Sequence, residues 1–129
     1  MSSRTGGCVC GAVRYTADNV RPVWYCHCEQ CRRITGHFMA ASQVDLDDIK
    51  IEGEPTWYYV NEQSRYGFCP GCGATVFWRN ETNPYLSVTA GSLDSAEGLT
   101  DKGHIFTAEK GEYYDIPETS TQSERWPSE

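Results

Sequence analysis

Basic residues are scarce in this sequence of 129 residues, and lysine is the rarest of them, present only as Lys50, Lys102 and Lys110. Lysine and arginine together number 11 against 18 acidic residues, which gives a formal net charge of −7. Such a chain repels the phosphate backbone of nucleic acids and the headgroups of anionic membranes. We therefore expect neither nucleic acid nor a membrane as a partner.

Long apolar runs are also missing. No stretch approaches the roughly 20 apolar residues that a membrane-spanning helix needs. Residues 1–7 lack the apolar segment of a secretory signal, so the expected location is the cytoplasm. The chain length predicts one domain, which we place at residues 1–116, followed by a polar and loosely held tail at residues 117–129.

Cysteine, by contrast, is abundant, with seven residues. This number exceeds what packing requires, and because it is odd, the cysteines cannot all pair in disulfides within one chain. In a reducing cytosol disulfides are rare, and closely spaced thiols more often hold metal. We therefore interpret the cysteines as metal ligands rather than as a disulfide framework.

Short stretches that alternate or are rich in β-branched and aromatic residues predict strands over most of the chain. The predicted strands lie at residues 12–16, 23–25, 37–44, 48–51, 57–60, 74–78, 85–89 and 104–107. The best helix candidate runs from Glu29 to Thr35 and ends at Gly36. The predicted fold class is mainly β with little helix. We assign to the core or to sheet faces the aromatic residues Trp24, Trp57, Tyr58, Trp78 and Trp126.

The strongest local motif is Cys69-Pro70-Gly71-Cys72-Gly73. A C-x-x-C loop directs two sulfurs at one tetrahedral ion, and Gly71 and Gly73 are expected to supply the positive φ values of a tight turn. A second pair of ligands must come from elsewhere, and Cys8-Val9-Cys10-Gly11 is a tighter pair at the start of another predicted strand. The alternatives are a redox pair, which normally precedes a helix rather than a strand, and buried free thiols.

A second motif, from Cys26 to Cys31, places three thiols within six residues. In an extended segment Cys26 and Cys28 share one side, and a turn then brings Cys31 to the same ion. Three protein ligands leave a tetrahedral zinc with one open position, as in catalytic sites. Three thiolates would leave the zinc with a formal charge of −1, which makes it a weaker Lewis acid that ionises water poorly. It remains suited to binding and deprotonating another thiol. The resulting thiolate is a nucleophile suited to a carbonyl carbon.

Several neighbours of the second motif have more than one interpretation. A second structural zinc is the alternative to an open site, with His37, His104 or an acidic side chain as the fourth ligand. His27 has three interpretations: an acid–base group, a hydrogen-bond donor to one of the metal ligands, or a histidine that is exposed or hydrogen-bonded to other groups. Arg32 and Arg33 either offset the charge of the site, hold a carboxylate, or belong to a solvated turn.

Three segments together resemble a known family. They are residues 7–15 (GCVCGAVRY), residues 26–36 (CHCEQCRRITG) and residues 68–73 (FCPGCG). In this order they resemble the glutathione-dependent formaldehyde-activating enzyme family, also called the centromere-protein-V-like family. The similarity extends over about residues 6–116.

The resemblance implies a β-tent type of zinc fold with short antiparallel sheets, related to zinc ribbons. It implies two zinc ions per chain: a structural zinc held by Cys8, Cys10, Cys69 and Cys72, and an exchangeable, catalytic zinc held by Cys26, Cys28 and Cys31. It also implies a carbon–sulfur lyase with a small-molecule thiol such as glutathione and an aldehyde as partners. The implied reaction is condensation of glutathione with formaldehyde to S-(hydroxymethyl)glutathione.

Two functions without catalysis stay open from the sequence. A zinc-binding or protein-interaction module would have four protein ligands at both sites. A metal buffer would release zinc readily from the three-cysteine site and accelerate no reaction.

Overall fold

The computed structural model describes residues 3–127, which form ten strands and one α-helix. In chain order these elements are β1 (Ser3–Gly7), β2 (Arg14–Asp18), β3 (Val23–Cys26), α1 (Glu29–Thr35), β4 (Met39–Asp45), β5 (Ile49–Glu52), β6 (Thr56–Tyr59), β7 (Ser64–Phe68), β8 (Thr75–Asn80), β9 (Tyr85–Thr89) and β10 (Asp101–Ile105). Short 3-10 helices cover Leu46–Asp48, Ala90–Ser92 and Thr107–Glu109. No helix in the described residues is long and apolar enough to cross a membrane.

The strands form two sheets. One sheet has three antiparallel strands in the order β1-β2-β5, and the other has seven in the order β10-β3-β4-β9-β8-β7-β6. Neighbours in the larger sheet are antiparallel except β3 and β10, which run parallel. The mainly β prediction is confirmed, and so is the helix from Glu29 to Thr35, which ends at Gly36 with a φ of 87°.

Each predicted strand overlaps an observed one, but two observed strands, β1 and β7, have no predicted range. β1 contains Gly6 and Gly7, which look like turn residues in the sequence. A Cβ at Gly6 would lie 2.4 Å from the hydroxyl oxygen of Tyr15, so glycine is required there by close packing. β7 contains Gly67, where a Cβ would lie 2.8 Å from the ring of Trp57. At both positions glycine allows an aromatic side chain to pack closely against the strand, and it does not mark a turn.

Two groups of buried residues form the core. The larger lies between the sheets and consists of Cys8, Val13, Tyr15, Ala17, Val44, Cys69, Val76, Phe77, Leu86 and Val88. The smaller consists of Cys31, Met39 and Tyr66, with Trp78 packed against it. Cysteines of both motifs therefore belong to the core. Of the aromatic residues assigned from the sequence, Trp57 packs on the larger group, whereas Tyr58 and Trp126 are exposed.

Part of the polar tail is tied to the larger sheet. The backbone N–H of His104 donates to the carbonyl of Thr121 at 2.8 Å, and Ser123 N–H donates to the carbonyl of His104 at 2.9 Å. The ring of Trp126 then packs edge-on against Phe106, with the ring centroids 5.0 Å apart. The expectation of a loosely held tail is therefore wrong for this segment. The domain boundary after residue 116 stays a prediction.

Candidate metal centres

Four cysteines from distant parts of the chain converge at one end of the larger core group. The sulfurs of Cys8, Cys10, Cys69 and Cys72 all lie within 4.8 Å of one another. The Cys10 sulfur lies 3.7 Å from that of Cys8 and 3.6 Å from that of Cys69. Sulfurs bound to one tetrahedral zinc at ~2.3 Å are separated by about 3.8 Å. The spacing fits a metal ion with four thiolate ligands.

Tight turns present these four sulfurs. One loop follows β1, and the other joins β7 to β8, where the N–H of Gly73 donates to the carbonyl of Cys69 at 2.7 Å. Gly73 has the expected positive φ of 81°, whereas Gly71 does not and that expectation is wrong. Gly71 instead donates its N–H to the Cys69 sulfur at 3.3 Å. Here glycine brings a backbone donor close to a ligand.

Backbone donors also favour the ionised form of two of these thiols. The N–H of Val13 donates to the Cys8 sulfur at 3.3 Å and is the largest cause of a Cys8 pKa lowered to about 6. The N–H of Ala74 similarly lowers the pKa of Cys72. Because a thiolate is the form that ligates metal, both turns prepare their cysteines for binding.

The other three cysteines gather at the junction of β3 and α1. Cys26 ends β3, Cys28 is the N-cap of α1 and Cys31 lies within the helix. Their three sulfurs lie within 4.8 Å of one another, and no histidine, acid or further cysteine of residues 3–127 joins this group at that distance. The described residues therefore supply three candidate ligands here and four at the other centre.

The environment of the three-cysteine group differs from one sulfur to the next. The Cys28 sulfur accepts the N–H of Cys31 at 3.3 Å. Hydrogen bonds from the thiols of Cys26 and Cys31, followed by backbone N–H groups, lower the pKa of Cys28 to about 3. Cys31 is buried, and its neighbouring thiols together with burial raise its pKa. These contacts favour the ionised form of Cys28 and the neutral form of Cys31.

Tyr66 is a residue of this centre that the sequence did not indicate. Its hydroxyl lies 3.2 Å from the buried Cys31 sulfur, and burial raises its pKa well above the usual range. A tyrosine that stays protonated can donate its hydrogen to a thiolate. Tyr66 lies on β7, a strand not identified in advance, and no local motif marks it.

None of the three histidines lies in the three-cysteine group. His27 is 0% exposed and points away from the sulfurs, with Nδ1 2.6 Å from the Tyr114 hydroxyl and Nε2 2.8 Å from Nδ1 of His104. His37 Nδ1 lies 2.7 Å from the hydroxyl of Tyr113. His27 is thus a satisfied core histidine, and neither His37 nor His104 closes the second site.

We expect His27 to remain neutral in the folded protein at mildly acidic pH. Burial, followed by the nearby His104, lowers its pKa from 6.5 to about 4. The unfolded chain protonates this histidine more readily than the folded protein does. The contribution of neutral His27 to the free energy of unfolding is therefore complete above pH 6.5 and is lost as pH falls towards 4. Ring ¹⁵N shifts measured during an acid titration test this. A His27 pKa at or above the ordinary value would contradict it.

The two arginines after Cys31 have different surroundings. Arg33 forms an i,i+4 ion pair with Glu29 at 2.8 Å, and both side chains are mostly exposed. This arrangement agrees with the interpretation that Arg33 is a solvent-exposed residue of the turn. Arg32 forms no ion pair within residues 3–127, and its Nε atom is buried.

Comparison with known proteins identifies a family over most of the chain. A family profile described as glutathione-dependent formaldehyde-activating enzyme matches residues 3–109. The fold is also similar to the crystal structure of a Rhodobacter sphaeroides protein, with 26% sequence identity and a TM-score of 0.58. That similarity covers 73% of this chain and 91% of the other. The chain belongs to the glutathione-dependent formaldehyde-activating enzyme family.

Proposed function

We propose that this protein is a zinc-dependent carbon–sulfur lyase-type enzyme similar to S-(hydroxymethyl)glutathione synthase. It activates a thiol, with glutathione as the first candidate, for addition to formaldehyde or a related carbonyl. The observation that carries the proposal is the contrast between two centres, one with four clustered sulfurs and one with three. Membership of the family supplies the reaction type.

The two centres would have different roles. Cys8, Cys10, Cys69 and Cys72 would hold a structural zinc that joins the loop after β1 to the β7–β8 turn. Cys26, Cys28 and Cys31 would hold the exchangeable zinc. A zinc held there with one free position would bind an incoming thiol and lower its pKa, so that a thiolate would form near neutral pH.

Protein groups around the three sulfurs support this role. The Tyr66 hydroxyl lies 3.2 Å from the Cys31 sulfur and would donate to it once Cys31 is a thiolate, and the N–H of Cys31 donates to the Cys28 sulfur. Both contacts hold the sulfurs in place. Ile34, Ala41, Val60 and Trp78 pack against the buried residues beside the sulfurs. These apolar side chains exclude water from the inner side of the site, which strengthens the electrostatic interactions there.

The proposed reaction needs no oxidant. The thiol loses its proton, its sulfur forms a bond to the carbonyl carbon, and the carbonyl oxygen takes up a proton to give a hydroxymethyl thioether. The reverse reaction cleaves the same carbon–sulfur bond, which is the lyase direction.

The direct test is the exchange rate between formaldehyde and S-(hydroxymethyl)glutathione. Because the uncatalysed reaction is reversible, NMR exchange spectroscopy can measure this rate at equilibrium. We expect the zinc-loaded protein to accelerate the exchange in proportion to its concentration. Protein treated with a strong chelator serves as the control. Equal rates with zinc-loaded protein, chelated protein and buffer would contradict the proposed activity.

A further inference from the structure

Most arginine side chains in the described residues are already neutralised or satisfied. Four of them form ion pairs: Arg14 with Asp94, Arg21 with Asp45, Arg33 with Glu29 and Arg65 with Glu81. Arg4 and Arg79 donate to backbone carbonyl groups. Arg32 and the exposed Arg125 belong to neither set, and Arg32 forms no ion pair with another side chain of residues 3–127.

The side chain of Arg32 is also partly buried without compensation. Its Nε atom is shielded from solvent and has no hydrogen-bond partner in the described part of the chain. A buried donor without a partner costs free energy, since its hydrogen bonds to water are lost and not replaced. Such a cost is offset if a group from outside the chain accepts the hydrogen bond.

Arg32 lies beside the three-cysteine centre. It follows Cys31 directly on α1 and comes one helical turn after Cys28, which places these two side chains on adjacent positions of the helix surface. An accepting group bound by Arg32 would therefore lie close to a thiol at the three-cysteine centre.

We infer that Arg32 binds a carboxylate of the thiol substrate and thereby selects carboxylate-bearing thiols. This inference rests on the proposed function. The planar guanidinium presents paired donors that match a carboxylate. Three thiolates and a formal net charge of −7 would otherwise repel an anionic substrate, so a local unpaired cation is needed. A neutral thiol has no group to place there.

The test uses a ligand that cannot react or bind through a thiolate. S-methylglutathione keeps both carboxylates but has no free thiol, and its diethyl ester lacks the negative charges. Calorimetric titration of the zinc-loaded protein with each ligand isolates the carboxylate contact. We expect Arg32→Gln to weaken binding of S-methylglutathione by about 10-fold to 100-fold and to leave the weaker binding of the diester unchanged.

Arg33→Gln is the matched control, because it removes the same charge from the next residue, whose guanidinium already pairs with Glu29. We expect its ligand affinities to equal those of the wild type. Arg32→Lys keeps the charge without the planar pair of donors, and we expect intermediate binding. Circular dichroism and the thermal midpoint of each variant establish that the fold is retained.

Three outcomes would overturn the inference. They are no measurable binding of S-methylglutathione by the wild type, unchanged binding by Arg32→Gln, or an equal loss of affinity for acid and ester. An equal loss would mean that Arg32 acts on the fold or on the charge of the thiolates alone. None of these readouts needs catalysis. Selective binding without condensation activity would therefore support the role of Arg32 in carboxylate binding and contradict only the proposed function.

Discussion

Replacing Cys69 with serine is expected to leave most of the protein unfolded at room temperature and to remove the metal of the four-cysteine centre. Cys69 is 0% exposed within the larger core group, and its sulfur lies 3.6 Å from that of Cys10, 59 residues away in the sequence. A structural zinc contributes about 10–16 kcal/mol in small zinc domains, whereas a whole domain is stable by only about 5–15 kcal/mol. The free energy lost with this centre therefore exceeds the stability that the remaining core provides.

The measurement combines circular dichroism, thermal unfolding and metal analysis of the purified variant. A serine at a site that is in fact metal-free would cost far less, about 1–2 kcal/mol for a small buried polar group. A Cys69→Ser protein with the metal content and thermal midpoint of the wild type would show that this centre does not hold the fold together.

Cys28→Ser, in contrast, is expected to lower the condensation rate by about 100-fold or more while the thermal midpoint changes by only a few degrees. Two remaining thiols would hold a zinc ion much more weakly than three. The fold should tolerate this change, since Cys28 is the N-cap of α1 and its sulfur accepts the N–H of Cys31. Serine is among the best N-cap residues, so its hydroxyl replaces that hydrogen bond.

The two serine variants control for each other, because each removes one thiolate from a different centre. Cys28→Ser should lose activity and keep its fold, and Cys69→Ser should lose both. If Cys28→Ser retains the wild-type rate, the three-cysteine group is not the reaction site. If it unfolds as readily as Cys69→Ser, that group is a second structural centre.

The grouping of cysteines within each motif follows from spacing, but the pairing between motifs does not. Cys26, Cys28 and Cys31 meet because an extended strand end leads into one helical turn, and both features are local. The approach of Cys8 and Cys10 to Cys69 and Cys72 depends on how the two sheets pack. From the residues alone Cys8 and Cys10 were a candidate second pair, and the family resemblance assigned them, since no local rule relates positions 59 residues apart.

Properties of single side chains near the centres were harder to predict, because burial depends on distant residues. His27 becomes a core histidine through contacts with Tyr114 and His104, which are 87 and 77 residues away. Arg32 and Arg33 have the same charge and adjacent positions, yet only Arg33 forms an ion pair with Glu29, one helical turn before it. The extent of the strand that carries Tyr66 was not predicted, since Gly67, required by contact with Trp57, looks like a turn residue.

The central claim is that the protein has one closed and one open metal centre, and zinc-edge X-ray absorption with and without glutathione tests it most directly. We expect two zinc ions per chain, one with four sulfur ligands and one with three. Glutathione should add a sulfur to the second, and Cys28→Ser should abolish that change. Four protein ligands at both zinc ions, with spectra unaltered by glutathione, would contradict the claim and favour a zinc-binding interaction module.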